Sequence, residues 1–193
     1  AVYGDTHMAA TSHPASSAVA YLVLEGGGNA VDAAIAASAV LCVAEPHMTG
    51  VEGDCFVLYA PAGEQIIALN GSGRAPGAVD AGKFRDLGMA EIAADSPYAV
   101  TIPGAVDAWC RLHADYGSMP LEQLLAPAIS LAEEGCIIAP RVAHDWQTHR
   151  DKLFNSPSTR DAFLKRGAPY AVGDRFQNPA LGMTLRRIVA DGR

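Results

Sequence analysis

The stretch Glu25–Ala44, EGGGNAVDAAIAASAVLCVA, decides the fold. Its glycines close one helix, because glycine accepts the left-handed conformation at a helix C-terminus. Asn29 then opens the next, since its side-chain oxygen can accept from the free amides of a first turn. The run Ala30–Ala44 is too short to span a bilayer and is interrupted by Asp32. Its alanine richness predicts a buried helix packed closely against its neighbours. Three glycines ahead of a helix also outline an anion nest, but no Lys or Ser/Thr follows as in a P-loop, which leaves a helix–helix turn. Upstream, Pro14 suits the first turn of a helix capped by Ser12 or His13. Ala18, Val19, Tyr21, Leu22 and Leu24 then recur at helical spacing. A helical hairpin follows, entered from a short strand ending at Ser12.

Working outward, DCFVLYA and QIIALN flank the turn signal PAGE, so Asp54–Asn70 reads as a β-hairpin. Helical patterns return over Ala78–Leu87, Gly104–Tyr116, Pro120–Gly135, Arg141–Phe154, Ser158–Lys165 and Pro179–Ala190. A further strand is expected over Ala99–Ile102, before Pro103. The whole is an α/β chain with its strands early and no internal repeats, low-complexity tracts or linkers. Residues 1–193 suit a single domain. The sequence stops at VADGR, just after a helix, so the expected object is a fragment or one subunit of something larger.

Half of the chain is apolar and 18% is charged, which supports a core and argues against disorder. The net charge of −7, with no basic run, argues against nucleic acid as a partner. Cys42, Cys55, Cys110 and Cys136 form no C-x-x-C pair, so zinc-knuckle and redox motifs are excluded. Buried free thiols fit them better; they lean slightly toward a reducing, cytoplasmic location and leave a periplasmic or secreted one open. Glu45, His47, Asp54 and Cys55 mix hard and soft ligands without a spacing that fixes geometry, so no metal is assigned. His13, His113, His144 and His149 read as capping or surface residues. There is no G-x-S-x-G elbow. Cys55, among apolar strand neighbours, is a poor thiolate.

One loop stands out. LNGSGRAP, Leu69–Pro76, places a single long cation on a glycine-serine turn. A guanidinium forms a planar fork that matches a carboxylate with two parallel hydrogen bonds. Gly71, Ser72 and Gly73 let the backbone turn sharply and a ligand approach. Pro76 stiffens the exit and biases Ala75 toward extended geometry. Arg74 is therefore the candidate binding residue for one anionic group; the alternative is a surface or internally paired arginine. GSGRAPG also resembles a dinucleotide fingerprint, but its third glycine falls one position late and Pro76 stands in the way.

TSHPAS, GGGNAVDAAIAA, VAEPHMTGVEGDCFVLY, LNGSGRAP, TIPGAVDAW and PLEQLLAPAISLAEEG occur in this order. Together they resemble the large-subunit portion of the γ-glutamyltranspeptidase family, with its cephalosporin-acylase relatives, from about His7 to Gly192. The resemblance implies an N-terminal nucleophile hydrolase, an αββα sandwich whose precursor cuts itself into two subunits that stay together. It implies that an N-terminal threonine of the small subunit, not present here, attacks the γ-glutamyl amide of glutathione or a similar donor. The acyl group would then pass to water, an amino acid or a peptide. No catalytic residue lies in this chain on that basis, and no cofactor or membrane span is implied. The family's donor-carboxylate arginine carries over to Arg74. One departure stands out: the family usually has two glycines before the aspartate of VEGD, and Glu52 replaces the first. If that position needed a positive φ, the loop would be strained.

Overall fold

The computed structural model describes residues 3–93 and 96–192. In chain order the elements are helices α1 (Pro14–Glu25) and α2 (Ala30–Ala44), strands β1 (Cys55–Tyr59) and β2 (Ile67–Gly71), and helices α3 (Ala81–Asp86), α4 (Ala105–Tyr116) and α5 (Leu121–Glu134). Strand β3 (Cys136–Ile137) leads to helices α6 (Pro140–Thr148), α7 (Arg150–Phe154) and α8 (Pro157–Phe163). Strands β4 (Leu164–Lys165), β5 (Ala168–Pro169) and β6 (Arg175–Phe176) precede the last helix, α9 (Pro179–Asp191). The chain separates into two compact units, one running to Gly50 and resuming over His113–Gly192, the other Val51–Leu112.

The first unit is built on α2. It packs against α1 and α5, and α5 packs against α9. Ala36, Ala39, Val40 and Val43 are fully buried, so the alanines let neighbouring helices approach closely. Asn29 caps α2 as the sequence predicts: its side chain accepts from the Val31 and Asp32 amides, and Asp32 accepts from the Asn29 amide in return. His13 caps α1 through Ala15 N. Gly27 follows α1 at φ 90°. A second centre gathers around Trp146, whose ring meets Phe163, Tyr170 and Phe176 edge-on at 5.3–5.8 Å. Its indole N–H donates to His47 Nδ1 at 3.1 Å. His47 Nε2 bonds Asp145, which also accepts from Arg141.

The second unit holds the β1–β2 hairpin, antiparallel with Cys55 opposite Gly71 and Tyr59 opposite Ile67. Alternate residues Phe56 and Leu58 face outward, 65% and 80% exposed. The unit continues through α3 and a turn of 3₁₀ helix over Pro97–Ala99 into the start of α4.

Several expected elements differ. The strand over Ala99–Ile102 is replaced by the 3₁₀ turn, which Ser96 caps through Tyr98 N, and by an irregular segment. It has no strand partner among the described residues; Thr101 and Ile102 bond the loop at Ser72 and Arg74. No strand forms over residues 7–12, which run without a regular ladder. The helix expected over Arg141–Phe154 divides at His149. The one over Ser158–Lys165 gives way to β4, because Arg166 (φ 54°) and Gly167 (φ 81°) turn the chain into a hairpin with β5. The helix expected from Ala78 begins at Ala81, where Asp80 caps it through Lys83 N.

Candidate functional site

Arg74 lies in the second unit, three residues beyond the last rung of the β1–β2 ladder. Its side chain is exposed, and it forms no hydrogen bond or ion pair among the described residues. Its backbone is held firmly. Asn70 Oδ1 accepts from the Ser72 amide at 3.0 Å, an Asx turn that swings the chain out of β2. Gly73 stands at φ 75°, where a side chain would be strained, and a Cβ there would overlap the Ile102 carbonyl oxygen. The Arg74 carbonyl accepts from the Ile102 amide at 2.9 Å. Thr101 Oγ1 donates to the Ser72 carbonyl at 3.3 Å. The sequence reading found the cation and its glycines. It missed Thr101, Ile102 and Gly104, which lie some thirty positions downstream; the Pro-Gly pair entering α4 was the available signal.

Gly53 supplies the other support. Its carbonyl accepts from the amides of Gly104 and Ala105 at 3.1 and 3.0 Å, tying the VEGD loop to the start of α4. These are among the first amides of a helix, which need such partners. Glu52 is exposed, and Arg166 is the one described residue other than glycine with positive φ. The substitution at this loop therefore brings no backbone strain.

Cys55 faces inward, half-buried on β1. Burial pushes its thiol up, as does the neighbouring Asp54 carboxylate, while a hydrogen bond with Trp109 opposes them. A protonated thiol with an indole partner is not a nucleophile. None of the four cysteines is in a disulfide. Among the described residues no group of three or more His, Cys, Asp and Glu side chains is placed to hold a metal ion. Glu45 instead accepts from Ser12. His113 bonds the Met119 carbonyl at 2.7 Å. No described helix is long and apolar enough to cross a membrane.

The loop thus presents the exposed guanidinium of Arg74, unpaired among the described residues, on a backbone held by hydrogen bonds from Ile102 and Thr101.

The sequence model of the family described as gamma-glutamyltranspeptidase matches residues 16–193. The chain is 34% identical to a glutathione hydrolase-like proenzyme, YwrD, of Bacillus subtilis, over 100% of this chain and 37% of that protein. It is 33% identical to the acylase ACY 1 proenzyme of a Pseudomonas strain, over 98% of this chain and 36% of that protein. The chain therefore spans just over a third of the length of these relatives. Among solved structures, the γ-glutamyltranspeptidase of Helicobacter pylori superposes with a TM-score of 0.93 at 32% identity, covering 100% of this chain and 56% of that one. Helix-rich α/β architecture with an early antiparallel hairpin, part of an N-terminal nucleophile hydrolase, is common to the two. On the family match and this superposition, the chain belongs to the gamma-glutamyltranspeptidase family.

Proposed function

We propose that this chain forms the donor-binding part of an enzyme that hydrolyses or transfers γ-glutamyl groups, with Arg74 gripping the donor's α-carboxylate. The observation that carries this reading is the exposed guanidinium of Arg74, unpaired among the described residues and set on a backbone held by Ile102 and Asn70. Gly71, Ser72 and Gly73 support the loop, and Ser72 and Gly73 leave it compact enough for a ligand to approach the backbone. The nucleophile is assigned to an N-terminal threonine on a small subunit released from the same precursor. In favour of that division, the relatives are proenzymes and this chain covers little more than a third of their length. By itself the chain is then inactive.

In mechanism, Arg74 does no chemistry. Its fork fixes the free acid of the donor, so the amide carbon arrives in one orientation before the threonine attacks. Proton transfer and stabilisation of the oxyanion belong to the companion subunit. Losing a charged partner of a buried carboxylate costs about 2–5 kcal/mol. In the complete protein, Arg74→Ala is expected to raise KM for γ-glutamyl-p-nitroanilide about 30-fold or more, with folding and self-cleavage intact. An unchanged KM refutes the assignment.

The similarity to an acylase favours a second reading, in which the donor is a glutaryl-type or cephalosporin acyl amide. Such an acyl chain also ends in an anion, and Arg74 would serve it equally well. Comparing kcat/KM for γ-glutamyl-p-nitroanilide and a glutaryl amide on the complete protein separates the two. A non-catalytic remnant would show neither activity and no second band on a denaturing gel.

A further inference from the structure

We infer that the segment Thr101–Gly104 is a positioning clasp, which fixes the backbone of Ser72–Arg74 and so sets the direction in which the guanidinium leaves the loop. This rests on the donor-binding reading of Arg74. A two-pronged match to a carboxylate needs a fixed base as well as a planar head, because the long arginine stem adds its own rotations. The β1–β2 ladder cannot supply that base, since it ends at the pair Cys55–Gly71. Beyond Gly71, one Asx turn from Asn70 and the 101–104 segment hold the chain.

The clasp is made of one backbone bond and one side-chain bond to the loop. Ile102 N donates to the Arg74 carbonyl at 2.9 Å, and Thr101 Oγ1 to the Ser72 carbonyl at 3.3 Å. Gly104 is buried, and a Cβ on it would stand 2.5 Å from Gly73 N and overlap the Gly71 carbonyl. A Cβ on Gly71 would stand 2.7 Å from the Ala108 methyl. Nothing larger than hydrogen fits between these strands of chain, so the loop has little freedom to shift. The clasp is itself anchored at its far end, where Gly53 takes the Gly104 and Ala105 amides and Trp109 of α4 is buried.

Thr101 separates positioning from general stability, because its side chain is exposed and its substitution leaves no cavity. Thr101→Val keeps the shape and removes the donor; Thr101→Ser keeps the donor. In the complete, self-processed protein, Thr101→Val is expected to raise KM for γ-glutamyl-p-nitroanilide about 3-fold to 10-fold, the span of one net hydrogen bond, with kcat unchanged. Thr101→Ser is expected to restore it. Added to Arg74→Ala, Thr101→Val is expected to do nothing further, because the clasp acts through the arginine. A raised KM in Arg74→Ala with a wild-type KM in Thr101→Val overturns the clasp alone. So does an effect of Thr101→Val that persists in the Arg74→Ala background. An unchanged KM in Arg74→Ala overturns the donor reading and the clasp with it. Gly104→Ala should be more severe than Thr101→Val, and the Thr101 pair decides the matter if that protein fails to fold.

Discussion

Asp32 keeps its charge in full burial because donors converge on both of its oxygens. The Asn29 amide lies at 2.9 Å, the Ser118 hydroxyl at 2.5 Å, and the Ser118 and Met119 amides at 3.1 and 3.4 Å. Burial alone would push the carboxyl up; these bonds outweigh it and hold the carboxyl below its ordinary value. A depressed carboxylate contributes stability above its unfolded pKa and loses it as pH falls through the folded value. The contribution of Asp32 should thus be complete near neutral pH and fade below about pH 4. Asp32→Ala, which strands several buried amides, is expected to cost about 3 kcal/mol and to flatten the acid limb of a melting-temperature-against-pH series. The cap half of this arrangement was legible, since Asn29 and Asp32 have the spacing of a reciprocal N-terminal cap. Ser118 was not, because nothing local in a sequence links positions 86 residues apart. Arg74 belongs to the same scale. Arg74→Lys keeps the charge but not the fork, and it is expected to recover little of the KM lost in Arg74→Ala.

Among the elements, α2 shows what the alanines do. Ala36 and Ala39 are fully hidden from water on a helix that packs against α1 and α5. Enlarging such a position pushes helices apart rather than filling a void. Ala39→Leu is expected to destabilise the chain by about 1–3 kcal/mol in chemical denaturation, whereas Tyr21→Leu, on the half-exposed face of α1, should stay within about 0.5 kcal/mol. Long periodic helices and the 55–71 hairpin were readable because their burial repeats along the sequence. The two-residue strands β3 to β6 carry no period; a partner forty residues away selects β3, as Phe176 does for Cys136, and the turn at Arg166 and Gly167 pairs β4 with β5. The break at His149 was equally silent. It lies in a polar stretch, THRDK, where neither helix end bears a glycine or proline. The strand expected before Pro103 shows the opposite error. Its first residue closes the 3₁₀ turn, Val100 is extended at φ −84° and ψ 125°, and Thr101 and Ile102 bond the Arg74 loop rather than a sheet.

For the whole molecule, the hairpin is the part that stands least complete. Phe56 and Leu58 point outward on β1, and Ile66, just before β2, is 69% exposed. A two-stranded sheet with open edges and an apolar face is poorly soluble by itself. Expressed by itself, the chain is expected to self-associate at micromolar concentration in size-exclusion chromatography with light scattering. Leu58→Lys should raise the monomer fraction without changing the far-ultraviolet circular dichroism, because that side chain touches no core. A monomeric wild-type chain would show that this face tolerates water. On the proposed division of labour the same preparation turns over no γ-glutamyl-p-nitroanilide, whatever its state of association, because it can hold a donor and has no nucleophile to attack it. Activity in the isolated 193-residue chain, abolished by Arg74→Ala, would keep the arginine's role and refute the assignment of the chemistry to a second subunit.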